Sequence, residues 1–176
     1  ACYRSRFHRL EPMRPFVRLL SSMVVGMVAL GTLHRQMATR IKTAIGSGLF
    51  VLDGAMGTAV QAMDTDIERD YLGRENCTDI LTKSRPDLVR SIHDSFLEVG
   101  VDAIETNTFG ANRLVLSEFD EEASTWAYDL NVQSAKIARE ACDAAEGDRY
   151  VLGSMGPGTK LITLGQTTWE NMLDSY

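Results

Sequence analysis

Two short polar segments carry the side chains best suited to bind a small ligand. Residues 53–58 (Asp-Gly-Ala-Met-Gly-Thr) follow the apolar run 49–52, and residues 105–110 (Glu-Thr-Asn-Thr-Phe-Gly) follow the largely apolar run 101–104. An apolar run that ends abruptly in polar residues and glycine is typical of a buried parallel strand that delivers a functional loop at its C-terminal end. The sequence therefore predicts that both loops lie at one edge of a parallel sheet and share a pocket for a small polar ligand.

A helix is predicted between the two runs. Ser84 and Asp87 have the spacing of a capping box, and Pro86 suits the first helical turn. Gly100 is placed to end the helix in the left-handed conformation. The predicted apolar face consists of Leu88, Ile92, Phe96 and Val99. His93 lies off that face and is predicted to face solvent, whereas Glu105 is interpreted as a strand-end acid paired with a helix cap.

A second, longer helix is predicted from about residue 125 to residue 145, and a third strand at residues 150–153. The predicted buried side of this helix consists of Ala127, Leu130, Ser134, Ile137, Ala138, Ala141 and Ala145. Strands that alternate with long helices indicate an α/β fold with a parallel sheet and right-handed crossovers.

The remaining segments are predicted to connect these elements. Residues 53–83 lack a clear period and are predicted to be a long loop, and residues 112–119 to be a short extra helix. A Gly- and Thr-rich loop over 154–167 leads into a helix that starts at residue 168. The pattern predicts the first three βα units of a (β/α)8 barrel, truncated, because a complete barrel needs ~250 residues and this chain has 176.

Charge is unevenly distributed along the chain. Residues 1–42 carry a net charge of +7, and the rest of the chain is acidic enough to give −6 overall. The predicted domain, residues 37–176, has no basic patch of the kind that binds phosphate backbones, so nucleic acid is not expected as a partner.

The first residues of the predicted domain, from Met37, are predicted to form a short helix that leads into the first strand.

Residues 1–36 form a basic and apolar leader that does not belong to the predicted domain. Its arginines precede an apolar run over 19–33, which is too short to span a bilayer comfortably, so no stable membrane span is expected. The leader is either a secretory signal, an organellar transit peptide or upstream sequence with no biological role. We expect that it makes no contact with the core.

The cysteines are few and widely spaced. Cys2, Cys77 and Cys142 form neither a CxxC motif nor a set with nearby histidines, so neither a disulfide framework nor a zinc site is predicted. A reducing compartment is favoured, and the cytoplasm is the predicted location.

Four segments resemble, in order, motifs of the homocysteine S-methyltransferase family. They are residues 51–58, residues 75–79 with 84–87, residues 100–110 and residues 153–161. The similarity runs from about Leu49 to Tyr176, and its detail resembles the cobalamin-dependent branch of the family more than the betaine-dependent branch.

The resemblance implies a zinc-dependent transfer of a methyl group to the sulfur of homocysteine, in which zinc keeps that sulfur a thiolate. The methyl donor would be methylcobalamin, recharged from methyltetrahydrofolate by other modules. By position, Asp53 would receive the amino group of homocysteine. The backbone N–H groups of Gly54 and Ala55 would approach its carboxylate, and Asn107 and Thr108 would line the rim.

The resemblance also implies what this chain lacks. The family's zinc ligands are cysteines on later strands, and none of the three cysteines matches a ligand position. The expectation is therefore a homocysteine-binding part that has no catalytic residue and no metal ligand of its own, and that is completed by the remaining barrel and by the cobalamin and folate modules of a longer protein.

Two other functions remain open from the sequence. One is a related thiol or selenol methyltransferase with another methyl donor, such as S-methylmethionine. The other is a non-catalytic, exported domain that binds a small ligand, which is suggested only by the leader. A downstream reading frame with the late cysteines would favour the methyltransferases over the exported domain.

Overall fold

The computed structural model describes residues 40–54 and 56–176, so the predicted leader and Ala55 lie outside the described residues. Residues 40–46 are helical, as the sequence predicts ahead of the first strand. Residues Phe50–Tyr176 form one compact unit, and all features described below belong to it.

The strands are short and parallel. β1 (Ala103–Glu105) pairs with β2 (Tyr150–Leu152), with Ile104 opposite Val151. The first predicted strand is reduced to a single parallel bridge between Leu52 and Ala103, supported by the Asp53 N–H donating to the Ala103 carbonyl at 3.0 Å. Within the described chain this segment pairs only with the β1 segment. The mixed α/β character and the parallel pairing are confirmed.

Helices and turns fill the rest of the unit. In chain order they are α1 (Met56–Gln61), α2 (Leu81–Ser84), α3 (Pro86–Glu98), α4 (Arg113–Leu116), α5 (Glu121–Thr125), α6 (Ala127–Ala144) and α7 (Trp169–Ser175), with 3-10 turns at Thr78–Ile80 and Ile162–Leu164. The predicted loop over 53–83 thus contains α1, a 3-10 turn and most of α2. The predicted long helix over about 125–145 corresponds to α6, and α5 is a separate short helix that ends just before Trp126.

The beginning and end of α3 follow the sequence signals only in part. Pro86 lies in the first turn and Gly100 has a φ of 91°, as predicted. The predicted capping box is wrong, because the Ser84 hydroxyl donates to the carbonyls of Asp70 and Ile80. The residue that precedes α3 is Arg85, which makes no side-chain capping bond.

The buried side of α3 is wider than predicted. Leu88 and Ile92 are buried, but Val99 is 78% exposed at the end of the helix. His93 is fully buried rather than solvent-facing, since α3 packs against both α6 and β1 and buries a second row that includes Val89 and Leu97. Neither ring nitrogen of His93 has a hydrogen-bond partner among the described residues, and burial lowers its pKa to about 4.

The buried side of α6 agrees closely with the prediction. Six of its seven predicted residues are buried, and Cys142 takes the place of Ala145, which is half-buried. Small residues along this face bring α6 close to β2. As a result Ser134, in the middle of the face, reaches the end of β1.

Ion pairs between the buried Asp70 and two more exposed arginines fix the loop before α2. The Asp70 side chain is fully buried and accepts two hydrogen bonds from Arg69, at 2.9 and 2.8 Å, and one from the Asp66 N–H at 3.0 Å. Arg85 lies 3.3 Å from the same carboxylate. These partners, Arg69 first, hold the pKa of Asp70 well below its usual range, so it is ionised at neutral pH.

No helix in the described part of the chain combines the length and the apolar character needed to cross a membrane.

Candidate functional site

A cavity of about 300 Å³ lies at the C-terminal ends of the parallel strands. Its lining residues are Asp53, Gly54, Met56, Gly57, Thr78, Glu105, Thr106, Asn107, Thr108, Phe109 and Ser154. Four of the five predicted site residues are in this set, and the fifth, Ala55, lies outside the described residues. The structure thus brings the two polar loops together as the sequence predicts, whereas the roles of these residues in binding stay predictions.

Asp53 joins the cavity to the strands. Its Oδ1 accepts the Glu105 N–H at 2.9 Å, and this bond continues the pairing of the first segment with β1 beyond the Leu52–Ala103 bridge. Burial without a cationic partner and the nearby negative charge of Glu105 raise the pKa of Asp53 to about 6. The carboxylate would therefore gain from a cationic ligand.

Glu105 is a second acid at the cavity and is not among the predicted site residues. Its Oε2 accepts a hydrogen bond from the Ser154 hydroxyl at 2.9 Å, rather than pairing with a helix cap. The side chain is exposed. Its position at the end of an apolar run is the same signal that identified Asp53, so sequence reasoning could have included it.

Asn107 is buried and is held from two directions. Its N–H donates to Ser134 Oγ at 2.8 Å, and its Nδ2 donates to the Thr78 carbonyl at 2.9 Å and to Thr82 Oγ1 at 3.3 Å. These bonds use the amide nitrogen, so a ligand in the cavity is left with the carbonyl oxygen of the side chain. Asn107 therefore ties the end of β1 to α6 and to the turn before α2.

Thr106 and Thr108 connect the two loops that form the cavity wall. Thr108 Oγ1 donates to the Ser154 carbonyl at 2.8 Å, and Thr106 Oγ1 accepts the Ser154 N–H at 3.0 Å. The two hydroxyl oxygens are 2.6 Å apart. Because Thr108 has only one proton and gives it to Ser154, Thr106 must be the donor in the bond between the two threonines. Both hydroxyl protons are therefore committed within the protein.

Close contacts fix the position of Phe109 at the rim. The Gly156 N–H donates to the Phe109 carbonyl at 3.0 Å, and a Cβ atom on Gly156 would lie 2.4 Å from that oxygen. On the other side, the Gly110 N–H donates to Asp79 Oδ1 at 2.9 Å. Burial raises the pKa of Asp79. The sequence did not identify this residue as part of the site. The Phe109 side chain itself remains 65% exposed.

A larger cavity, of about 470 Å³, lies between the C-terminal ends of α3 and α6, next to the residues that precede β1 and β2. Its Arg90 is paired with Asp94 at 2.8 Å, and its Arg149 lies 3.9 Å from Asp102. Ligands of parallel α/β folds bind at the carboxyl ends of the strands, so the smaller cavity is the candidate site.

The charge of the candidate site is unbalanced. Its lining includes two carboxylates, Asp53 and Glu105, and none of the described lining residues is cationic. Such a cavity favours a ligand that carries a positive group and two or more polar atoms.

The described residues do not fit a zinc ion. No group of three or more His, Cys, Asp or Glu side chains in residues 40–54 and 56–176 could share a metal. Cys77 and Cys142 are free and buried, and burial raises the pKa of Cys77 to about 11 and raises that of Cys142. Because zinc binds thiolates, these two thiols are poor candidates for ligands.

Comparisons with known proteins agree with the geometry. The family profile of homocysteine S-methyltransferase matches residues 50–176. Methionine synthase of Mycobacterium tuberculosis (strain ATCC 25618 / H37Rv) is 43% identical over 141 residues, which are 78% of this chain and 12% of that protein. Methionine synthase of Mycobacterium leprae (strain TN) is 40% identical over 146 residues, 81% of this chain and 12% of that protein.

Among solved structures, the oxidized form of the homocysteine methyltransferase MmuM from Escherichia coli has a similar fold. The TM-score is 0.51 at 21% identity, over 74% of this chain and 41% of that one. This likeness concerns the fold alone. The chain spans only a small part of the methionine synthases that it matches. By the family match over residues 50–176, it belongs to the homocysteine S-methyltransferase family.

Proposed function

We propose that this chain is the homocysteine-binding part of a methyltransferase that makes methionine, and that it acts within a longer protein. The observation that carries the proposal is the acidic cavity at the strand ends of a member of this family. The ammonium group of homocysteine would supply the positive charge that is missing among the residues lining the cavity. The high identity to the two methionine synthases favours this function over a thiol or selenol methyltransferase with another donor.

The proposed fold of the complete domain is a (β/α)8 barrel, of which this chain supplies the first three βα units. The support is the parallel order of the Leu52 bridge, β1 and β2, joined by α3 and α6. In such a barrel the cavity would lie on the ligand-binding rim.

In the proposed complex, Asp53 receives the amino group of homocysteine. The backbone N–H groups of Gly54 and Ala55 approach the carboxylate, and Asn107 and Thr108 line the rim. The half-buried Asp53 carboxylate supports this assignment, because an ammonium group would offset the burial that raises its pKa. Asn107 would contribute its side-chain oxygen, and Thr108 a lone pair, since their donors are already used.

Other parts of the longer protein are proposed to hold the remaining groups. Zinc would be bound by cysteines on later strands of the barrel, which are not among the cysteines of this chain, and cobalamin and methyltetrahydrofolate by further modules. Buried, free Cys77 and Cys142 support a reducing compartment such as the cytoplasm.

The test is an assay of the full-length protein with homocysteine and either methyltetrahydrofolate plus cobalamin or S-methylmethionine, with methionine measured by mass spectrometry. We expect methionine from the first mixture. Methionine from S-methylmethionine alone would replace the proposed donor. No methionine from either mixture, together with no measurable affinity for homocysteine in calorimetry, would contradict the proposed function.

A further inference from the structure

We propose that Glu105, held in place by Ser154, contacts the ammonium group of the substrate together with Asp53 and thereby restricts the substrates to thiols that carry such a group. This inference rests on the proposed function and assigns to it a specificity-determining residue, Glu105, and a positioning residue, Ser154.

The first argument is the number of acceptors that an ammonium group needs. It has three N–H donors. Asp53 cannot satisfy them alone, because the three N–H bonds diverge and a single carboxylate, whose Oδ1 also accepts the Glu105 N–H at 2.9 Å, cannot face all of them. Glu105 lines the same cavity and offers Oε1, since Oε2 accepts from Ser154. The two carboxylates and the Asn107 side-chain oxygen would supply the three acceptors.

The second argument is the balance of charge. Asp53 and Glu105 are neighbours across the paired segments, and the negative charge of Glu105 is one of the causes that raise the pKa of Asp53, after burial. No described residue that lines the cavity supplies a compensating positive charge. A ligand with an ammonium group between them removes the repulsion, whereas a ligand that carries only a carboxylate adds to it.

The third argument is that the position of Glu105 is built into the protein. Ser154 is fixed at its N–H by Thr106 and at its carbonyl by Thr108, so its hydroxyl has a defined origin. That hydroxyl donates to Glu105 Oε2. An exposed glutamate without such a bond would sample many rotamers, and each binding event would have to order it.

The test compares two ligands in calorimetry with the full-length protein: L-homocysteine and 4-sulfanylbutanoate, which lacks the amino group. In Glu105→Gln we expect the affinity for homocysteine to fall about 10-fold or more, because a charge-assisted hydrogen bond is lost. The affinity for 4-sulfanylbutanoate should stay the same or rise. The matched control is Glu98→Gln, an acid of the other cavity, which should change neither affinity.

The positioning role of Ser154 is tested by a double-mutant cycle. Ser154→Ala should weaken homocysteine binding less than Glu105→Gln does, and should cause no further loss when Glu105 is already glutamine. An equal loss in both backgrounds would show that Ser154 acts on the ligand or the fold independently of Glu105, and would overturn its assigned role.

Two outcomes would overturn the role of Glu105: an equal fall in affinity for both ligands, or no fall for homocysteine. If the wild-type protein binds no homocysteine, the proposed function fails, and n-propylammonium becomes the probe. Binding of this amine that depends on Glu105 would support the ammonium site without homocysteine. Absence of such binding would overturn the inference as well.

Discussion

Two aspartates in this chain lie in opposite electrostatic environments. Asp70, in the loop before α2, is fully buried, but two arginines and a backbone N–H surround it and keep it ionised. Asp53, at the candidate site, is only half-buried, yet no cation among the described residues pairs with it and its pKa rises to about 6. The pKa values of the two aspartates therefore differ because of their charged and hydrogen-bonding partners, not because of the extent of their burial. The balanced acid stabilises the fold, and the unbalanced one is available to a ligand.

The largest expected effect is on stability, from Asp70→Asn. The substitution removes the charge that Arg69 and Arg85 surround, so we expect the melting temperature at pH 7 to fall by several degrees. Because the pKa of Asp70 is lowered, this contribution is present above the unfolded value of about 3.8 and is lost only in stronger acid. Homocysteine affinity should be retained in the folded variant.

Asp53→Asn is the matched variant and should behave in the opposite way. Because its pKa rises from 3.8 to about 6 on folding, its contribution to stability is lost as the pH rises from 3.8 through about 6, so removing the charge should leave the melting temperature at pH 7 level or raise it. Homocysteine binding should weaken by roughly 1.5–3 kcal/mol, through the loss of a charge-assisted contact. The contrast between the two aspartates would be wrong if the Asp53 variant were less stable than the Asp70 variant, or if it bound homocysteine with normal affinity.

His93 is a third group whose charged form the surrounding residues do not stabilise, but it does not face the candidate site. Its folded pKa of about 4 lies below the unfolded value of 6.5, so its contribution to stability is present above pH 6.5 and is lost as the pH falls toward 4. The loss amounts to about 3 kcal/mol. In His93→Leu, unfolding free energies from urea titrations at several pH values should lose most of this slope.

The control for His93 is His34→Gln, a histidine outside the described residues, which should leave the slope unchanged. Asp53 and Asp79 have raised pKa values and act in the opposite direction, so the slope is read as the difference between variant and wild type. An identical slope in both proteins would show that His93 is hydrated or paired in solution.

A smaller effect is expected from Gly156→Ala. Its Cβ would meet the Phe109 carbonyl, and the exposed part of the loop can shift to relieve part of the clash, so we expect a loss of about 1–2 kcal/mol in stability. Homocysteine affinity should also fall, since Phe109 follows Thr108 in the cavity wall. Gly153→Ala is the control, because nothing lies within 4 Å of its added Cβ. Equal stabilities for the two variants would show that the contact is not maintained.

The sequence predicted the candidate site better than the helix packing. Strand-end patterns located Asp53, Asn107 and Thr108, because an apolar run followed by polar residues leaves little freedom in where a parallel strand ends. The buried side of α6 was predicted nearly in full, since it packs along one face. In contrast, α3 packs on two sides, and a single apolar stripe could not reveal that His93 is buried and Val99 exposed.

Tertiary contacts explain the other errors. Ser84 has the right type and spacing for a helix cap, but the Asp70 carbonyl, 14 residues earlier, accepts its hydroxyl instead. Likewise, the Ser154 hydroxyl reaches Glu105 across 49 residues. Partners this distant in sequence leave no local pattern, so the bond between Ser154 and Glu105 could not be predicted from the sequence.

The hydrogen bonds between the loops after β1 and β2 also bear on the entropy of binding. Ser154 is held at its N–H and its carbonyl, and Gly156 at its N–H, so this part of the cavity wall is ordered without a ligand. The conformational freedom of both loops is thus lost during folding rather than during association. Substrate affinity should accordingly depend on residues that never touch the substrate but that keep this preorganised wall rigid.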